Sequence, residues 1–143
     1  MLYETDIIQW VEKQVSLIKE QRYAEIDWVN ILEEIEDLSK REKQRFLSSI
    51  RLIIQHLLKW EYQPEKRTSS WEITIKRERN HLKRYLRDTP SLKRYWADLE
   101  TVYADARADA ANETGISDWD FPEVCPYSVE QIESDWFPQA ETP

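Results

Sequence analysis

Residues 39–64 read SKREKQRFLSSIRLIIQHLLKWEYQP, and this stretch decides the fold. Between Ile50 and Trp60 apolar side chains fall on nearly every side of a helical wheel, the pattern of a helix surrounded by neighbours rather than laid on a surface. Ser39 and Glu42 form a capping-box pattern, at which either a third helix starts or the second runs on as one continuous helix. Gln63-Pro64 predicts its end near Tyr62, because the residue before proline avoids the α region. The span is roughly 35 Å at 1.5 Å per residue. We place this helix at the centre of an all-α bundle.

Upstream, Ile7, Ile8, Val11, Val15 and Ile18 share one helical stripe, which predicts a helix from Thr5 or Asp6 to Gln21 whose apolar face needs partners. Asp27 reads as the N-cap of a second helix, with Trp28, Ile31, Leu32, Ile35 and Leu38 as its buried stripe. Downstream, Ser69 and Glu72 read as another capping box, followed by Trp71, Ile75, Leu82, Tyr85 and Leu86 on one stripe. Thr89-Pro90 reads as a break and a restart, with proline at the first helical position, where its missing N–H costs nothing. A fifth helix then runs through Leu92, Tyr95, Trp96, Leu99, Val102, Tyr103 and Ala106 to Gly115, a helix C-terminal signal. The division drawn from these patterns is a bundle over residues 1–115 and an extension over 116–143. In the extension, Ser128 and Gln131 cap one short helix.

Composition supports this class. The chain has 143 residues, 41% hydrophobic and 34% charged, with seven Trp and seven Tyr that need a core or an interface. Gly115 is the only glycine, which argues against tight hairpins and a β-rich fold. Cys125 is the only cysteine, so one chain can build neither an internal disulfide nor a thiolate metal cluster, and the reducing cytoplasm fits best. Glu4 and Asp6 stand where a secretory signal would be basic and then apolar. The apolar run Leu52 to Leu58 falls far short of the roughly 20 residues that span a bilayer. No membrane association is expected.

The net charge of -8 is unevenly spread. Residues 66–94 carry ten bases against three acids, whereas 112–143 carry eight acids and no base. An acidic extension lying across the basic helix is the expected consequence, with Trp119, Phe121, Tyr127, Trp136 and Phe137 supplying most of the docking free energy, since exposed ion pairs contribute only about 0 to 1 kcal/mol each.

Five phrases in order carry a family resemblance: Tyr3-Glu4-Thr5-Asp6; Leu32 to Leu38; His56-Leu57-Leu58-Lys59-Trp60 with Tyr62-Gln63-Pro64; Pro90-Ser91-Leu92; and Phe121-Pro122-Glu123 with Cys125-Pro126-Tyr127. The chain resembles a bacterial family, abundant in cyanobacteria, known as domain-of-unknown-function family twenty-nine. That resemblance implies an all-helical fold and assigns no activity.

His56 is the sharpest chemical candidate, since imidazole ligates metals and moves protons near neutral pH. Flanked by Leu52, Ile53 and Trp60, it is expected to be a buried histidine bonded to a carboxylate or carbonyl of a neighbouring helix. Glu34 and Glu36 flank the stripe of the second helix and complete a candidate polar site with His56. Bundle metal sites use Glu-x-x-His on one helix, a spacing that none of Glu34, Glu36 and His56 completes, so no metal or other cofactor is expected. A basic face of Lys76, Arg77, Arg79, Lys83, Arg84 and Arg87 raises nucleic-acid binding, which would require the acidic extension to be displaced. His81, within that helix, is read as exposed. Phosphate loops, nucleophile elbows and zinc motifs are absent. The function expected is a non-enzymatic interaction or regulatory module with an unknown protein partner; the rival is a metal-dependent enzyme or metal-binding protein.

Overall fold

A computed structural model describes residues 1–139, leaving the last four residues of the acidic extension outside the described part. The described residues are helical or irregular and contain no strand. They divide into two compact units, residues 1–42 and the residues from Lys43 onward, a different boundary from the one that the end of the helical pattern at Gly115 suggests.

In the first unit, α1 (Leu2–Thr5) leads into α2 (Ile7–Lys19), which Asp6 caps by accepting from the Gln9 N–H. A 3-10 turn (Tyr23–Glu25) follows, and α3 (Trp28–Tyr62) begins after Asp27. Asp27 caps α3 and also accepts from the Trp10 indole at 3.0 Å, while its own N–H donates to Gln14 at 2.8 Å. The Tyr3 hydroxyl donates to Glu34 at 2.7 Å. Gln14 and Trp10 meet Asp27 whereas Tyr3 meets Glu34, so α2 and the start of α3 run antiparallel.

One expectation fails here. The stripe Trp28, Leu32, Ile35 and Leu38 is exposed, and so is Ile7, Ile8, Val11, Val15 and Ile18 on α2; Trp10, Gln14, Leu17 and Ile26 are the buried side chains instead. The amphipathic period was correct, but the polar anchors Gln14 and Asp27 hold the two helices together along the edges of their apolar stripes.

No break occurs at Ser39: α3 runs through it as one helix of 35 residues. Nothing at Ser39-Lys40-Arg41-Glu42 opposes helix, and capping residues also occur inside helices. In the second unit α3 is enclosed: Phe46, Ile50, Ile53, Ile54, Leu57 and Leu58 are each at most 1% exposed. Gln63 leaves the helix with φ -132° ahead of Pro64.

Around this axis pack α4 (Ser69–Asp88), α5 (Leu99–Thr114) and α6 (Val129–Glu133). Thr68, one residue before the expected cap, accepts from the Trp71 N–H and starts α4. Pro90–Asp98 is a 3-10 helix rather than the first turns of α5. Its three-residue period aligns Leu92, Tyr95 and Asp98 on one face, where Leu92 enters the core and Lys43 of α3 meets the Tyr95 ring and the Asp98 carboxylate. Ala106, Ala110 and Ala111 of α5 join the core, and Gly115 ends the helix in the left-handed region at φ 76°. The Ser128–Gln131 capping box forms as read.

The extension packs on α3, α4 and α5. Phe121, Tyr127 and Ile132 are core residues, Phe137 packs at a tilt against Trp60, and the Tyr127 hydroxyl donates to Glu61 at 2.7 Å. Ile132 is completely buried beside α4. Ile132→Ala is therefore expected to lower unfolding free energy by about 2 to 5 kcal/mol, read from urea denaturation followed by circular dichroism.

Candidate functional site

On α4, residues 75, 78, 79 and 82 follow the i, i+3, i+4, i+7 pattern of a single helical face, and that face is buried. Glu78 and Arg79 thus enter the interior beside Ile75 and Leu82. The Glu78 carboxylate accepts from the Ser49 hydroxyl of α3 at 2.8 Å, contacts the His81 ring at 3.2 Å, and meets Arg77 at 3.3 Å. Burial pushes its pKa up, but these donors outweigh burial and hold it below the ordinary carboxylate value. The reading of His81 as exposed is corrected: its side chain is half-buried against Glu78.

Arg79 does not belong to the basic face. It is 2% exposed and donates to the carbonyls of Ile132, Gln131 and Trp136, with its guanidinium over the Phe137 ring. Burial depresses its pKa to about 10. Lys76, Arg77, Lys83, Arg84 and Arg87 do form an exposed face. Three of these are tied locally, Lys76 to Glu72, Arg77 to Glu78 and Arg87 to Asp88. A groove of about 610 Å³ lies between α4 and α6, with Lys83, Arg87 and Lys93 facing Glu130 and Glu133 over a floor of Leu82 and Leu86.

His56 is half-buried, and its Nδ1 donates to the Leu52 carbonyl of its own helix at 2.8 Å, since a carbonyl can only accept. The partner expected from a neighbouring helix is thus supplied one turn back along α3. Burial pushes the imidazole pKa below its ordinary value, with the Leu52 bond opposing. Glu34, Glu36 and His56 all lie on the one helix α3, the glutamates in the first unit and His56 in the second, so the expected arrangement of carboxylates on one helix and imidazole on an adjacent one is not formed. Glu34 is occupied instead by Tyr3. Among the described residues no group of three His, Cys, Asp or Glu side chains is placed to hold a metal. Burial raises the Cys125 thiol to about 11, so it is protonated at neutral pH.

The feature that the sequence reading misassigned as core is the face of the first unit. On α2 the exposed stripe lies about 100° round the axis from the buried residues Trp10, Gln14 and Leu17, and on α3 it lies about 100° in the same sense from Asp27 and Glu34. In an antiparallel pair those stripes open on the same side. The exposed fractions, from 41% at Val15 to 68% at Ile8, amount to an area on the order of 1,000 Å². That exceeds the roughly 300 to 600 Å² of the largest patch on a typical monomer.

Glu78 and Glu113 both have depressed pKa values, the latter through Lys59 at 2.7 Å. Each carboxylate therefore contributes stability that is present above its unfolded value, about 4.3, and lost as pH falls through its lower folded value. Urea melts between pH 7 and pH 3 should show this acid limb, and Glu78→Gln should flatten it.

No helix among the described residues is long and apolar enough to cross a membrane. No curated protein and no solved structure matches the chain. The family model described as Domain of unknown function DUF29 matches residues 2–137, nearly the whole chain, and the protein belongs to that family.

Proposed function

We propose that this chain is a non-enzymatic interaction or regulatory module of the cytoplasm, engaging a protein partner through the apolar face of its first unit. The observation that carries this reading is that face itself. Leu32, Ile35 and Leu38 are each more than half exposed at helical spacing, which costs solubility in an isolated protein and is the usual mark of a docking surface. The polar clusters of the second unit support the same reading. Ser49, Glu78 and Arg79 are bonded to one another's helices or to the extension, as groups that hold a fold together are, rather than aimed into an open cleft.

The basic face of α4 favours nucleic-acid binding as a second reading, because Lys83 and Arg84 are exposed with the extension in place. The local partners of Lys76, Arg77 and Arg87, and the nearby Glu130 and Glu133, reduce the field there, so this reading ranks behind the first.

The test is affinity purification of the tagged wild-type chain and of Leu32→Asp from the native host, with elemental analysis of both. A stoichiometric protein partner recovered with the wild type and lost in Leu32→Asp, at unchanged helical signal, is expected. About one transition metal per chain, lost in His56→Ala, would overturn the reading in favour of a metal protein.

A further inference from the structure

Resting on that reading, we infer that the occupant of the first unit's apolar face is an amphipathic helix of net positive charge on a different protein. The argument begins with what the unit lacks. Its 42 residues bury only Trp10, Gln14, Leu17 and Ile26, far too little apolar surface for a unit of that size to be complete on its own. The uncovered area, on the order of 1,000 Å², matches the roughly 800 Å² that one side contributes to a standard interface.

Shape selects a helix. With Trp10 and Gln14 level with Asp27, the apolar strip from Ile18 to Leu38 is about 25 Å long, the rise of about 16 helical residues. A strip presented by two antiparallel helices takes a third helix through anchors at i, i+3, i+4 and i+7.

Charge selects the sign. Residues 1–42 hold eleven acids against five bases, a net of -6. Glu12 and Glu36 edge the face, against Lys19. A second copy of the chain would bring -6 against -6, and an anionic bilayer would be repelled in the same way. The chain's own segments do not serve. The apolar side of the basic helix α4, Ile75 and Leu82, is already buried in its own core, and the extension is acidic with Phe121, Tyr127 and Ile132 likewise buried.

The experiment uses the full chain, labelled with 15N, and a pair of model helices of about 16 residues. One carries leucine at i, i+3, i+4 and i+7 with lysine elsewhere; the other replaces every lysine with glutamate. The expected result is one-to-one binding of the lysine peptide with a micromolar dissociation constant, weakened by salt, with amide shifts centred on residues 7–18 and 28–38. Leu32→Asp should weaken it about tenfold or more at unchanged helical signal, and the glutamate peptide should bind about tenfold or more weakly. Equal affinity for the two peptides, or shifts confined to the acidic extension, would overturn the inference. So would sedimentation velocity showing a dimer of the free chain that Leu32→Asp dissociates, which would make the occupant a second copy. If the lysine peptide fails while the native host's partner is still lost in Leu32→Asp, the inferred charge is wrong and the interaction reading survives; if neither is bound, both fall.

Discussion

Enclosure of the second half of α3 is the constraint from which the rest follows. Ile53, Ile54, Leu57 and Leu58 are wholly inaccessible and point in different directions round one helix, so no single neighbour can cover them. Each surrounding element takes a share: Leu82 and Ile75 from α4, Tyr103, Ala106 and Ala110 from α5, and Ile132 from α6. Burying such side chains contributes roughly 1.5 to 3 kcal/mol apiece, which is why a short and acidic C-terminal extension is drawn into the core rather than left in solvent.

That extension is held by chemistry its charge pattern does not describe. Arg79 satisfies three backbone carbonyls at Gln131, Ile132 and Trp136, groups that would otherwise be lost to water where the chain leaves α6. Lys59 plays a similar part between α3 and α5, reaching Glu113 while lying over the Trp71 ring. In the extension the Arg107 guanidinium also meets the Asp118 carbonyl, and the Tyr103 hydroxyl meets the Pro122 carbonyl. Bonds from buried cations and hydroxyls to backbone fix the path of an irregular segment more tightly than screened surface ion pairs can.

Much of this was legible in the sequence. The all-round apolar character of Ile50 to Trp60 located the central helix, Pro64 its end, Gly115 the end of α5, and Ser128 with Gln131 the start of α6. Three features were not fixed by the pattern, each for a physical reason. An amphipathic stripe reports that a face is apolar and says nothing about whether this chain covers it, so Leu32 and Ile35 were assigned to a core they do not enter. Charge totals hid Arg79 and Glu78 among the bases of α4, although their spacing from Ile75 and Leu82 placed them on the buried face. The candidate site of Glu34, Glu36 and His56 needs two adjacent helices, and a capping pattern at Ser39 leaves both a break and a continuous helix open; one helix runs continuously there.

One helix therefore has two environments, enclosed from Phe46 to Lys59 and open along the stripe from Trp28 to Leu38. Residue-resolved amide hydrogen exchange along α3 of the isolated full chain tests that claim most directly, since protection reports the local opening free energy. Amides of residues 50–58 should exchange only through global unfolding, whereas those of residues 29–38 should exchange at least about a hundredfold faster, through local opening that needs no disruption of the core. Equal protection from residue 29 to residue 58 would contradict the account, because it would mean that the first unit is as fully covered as the second.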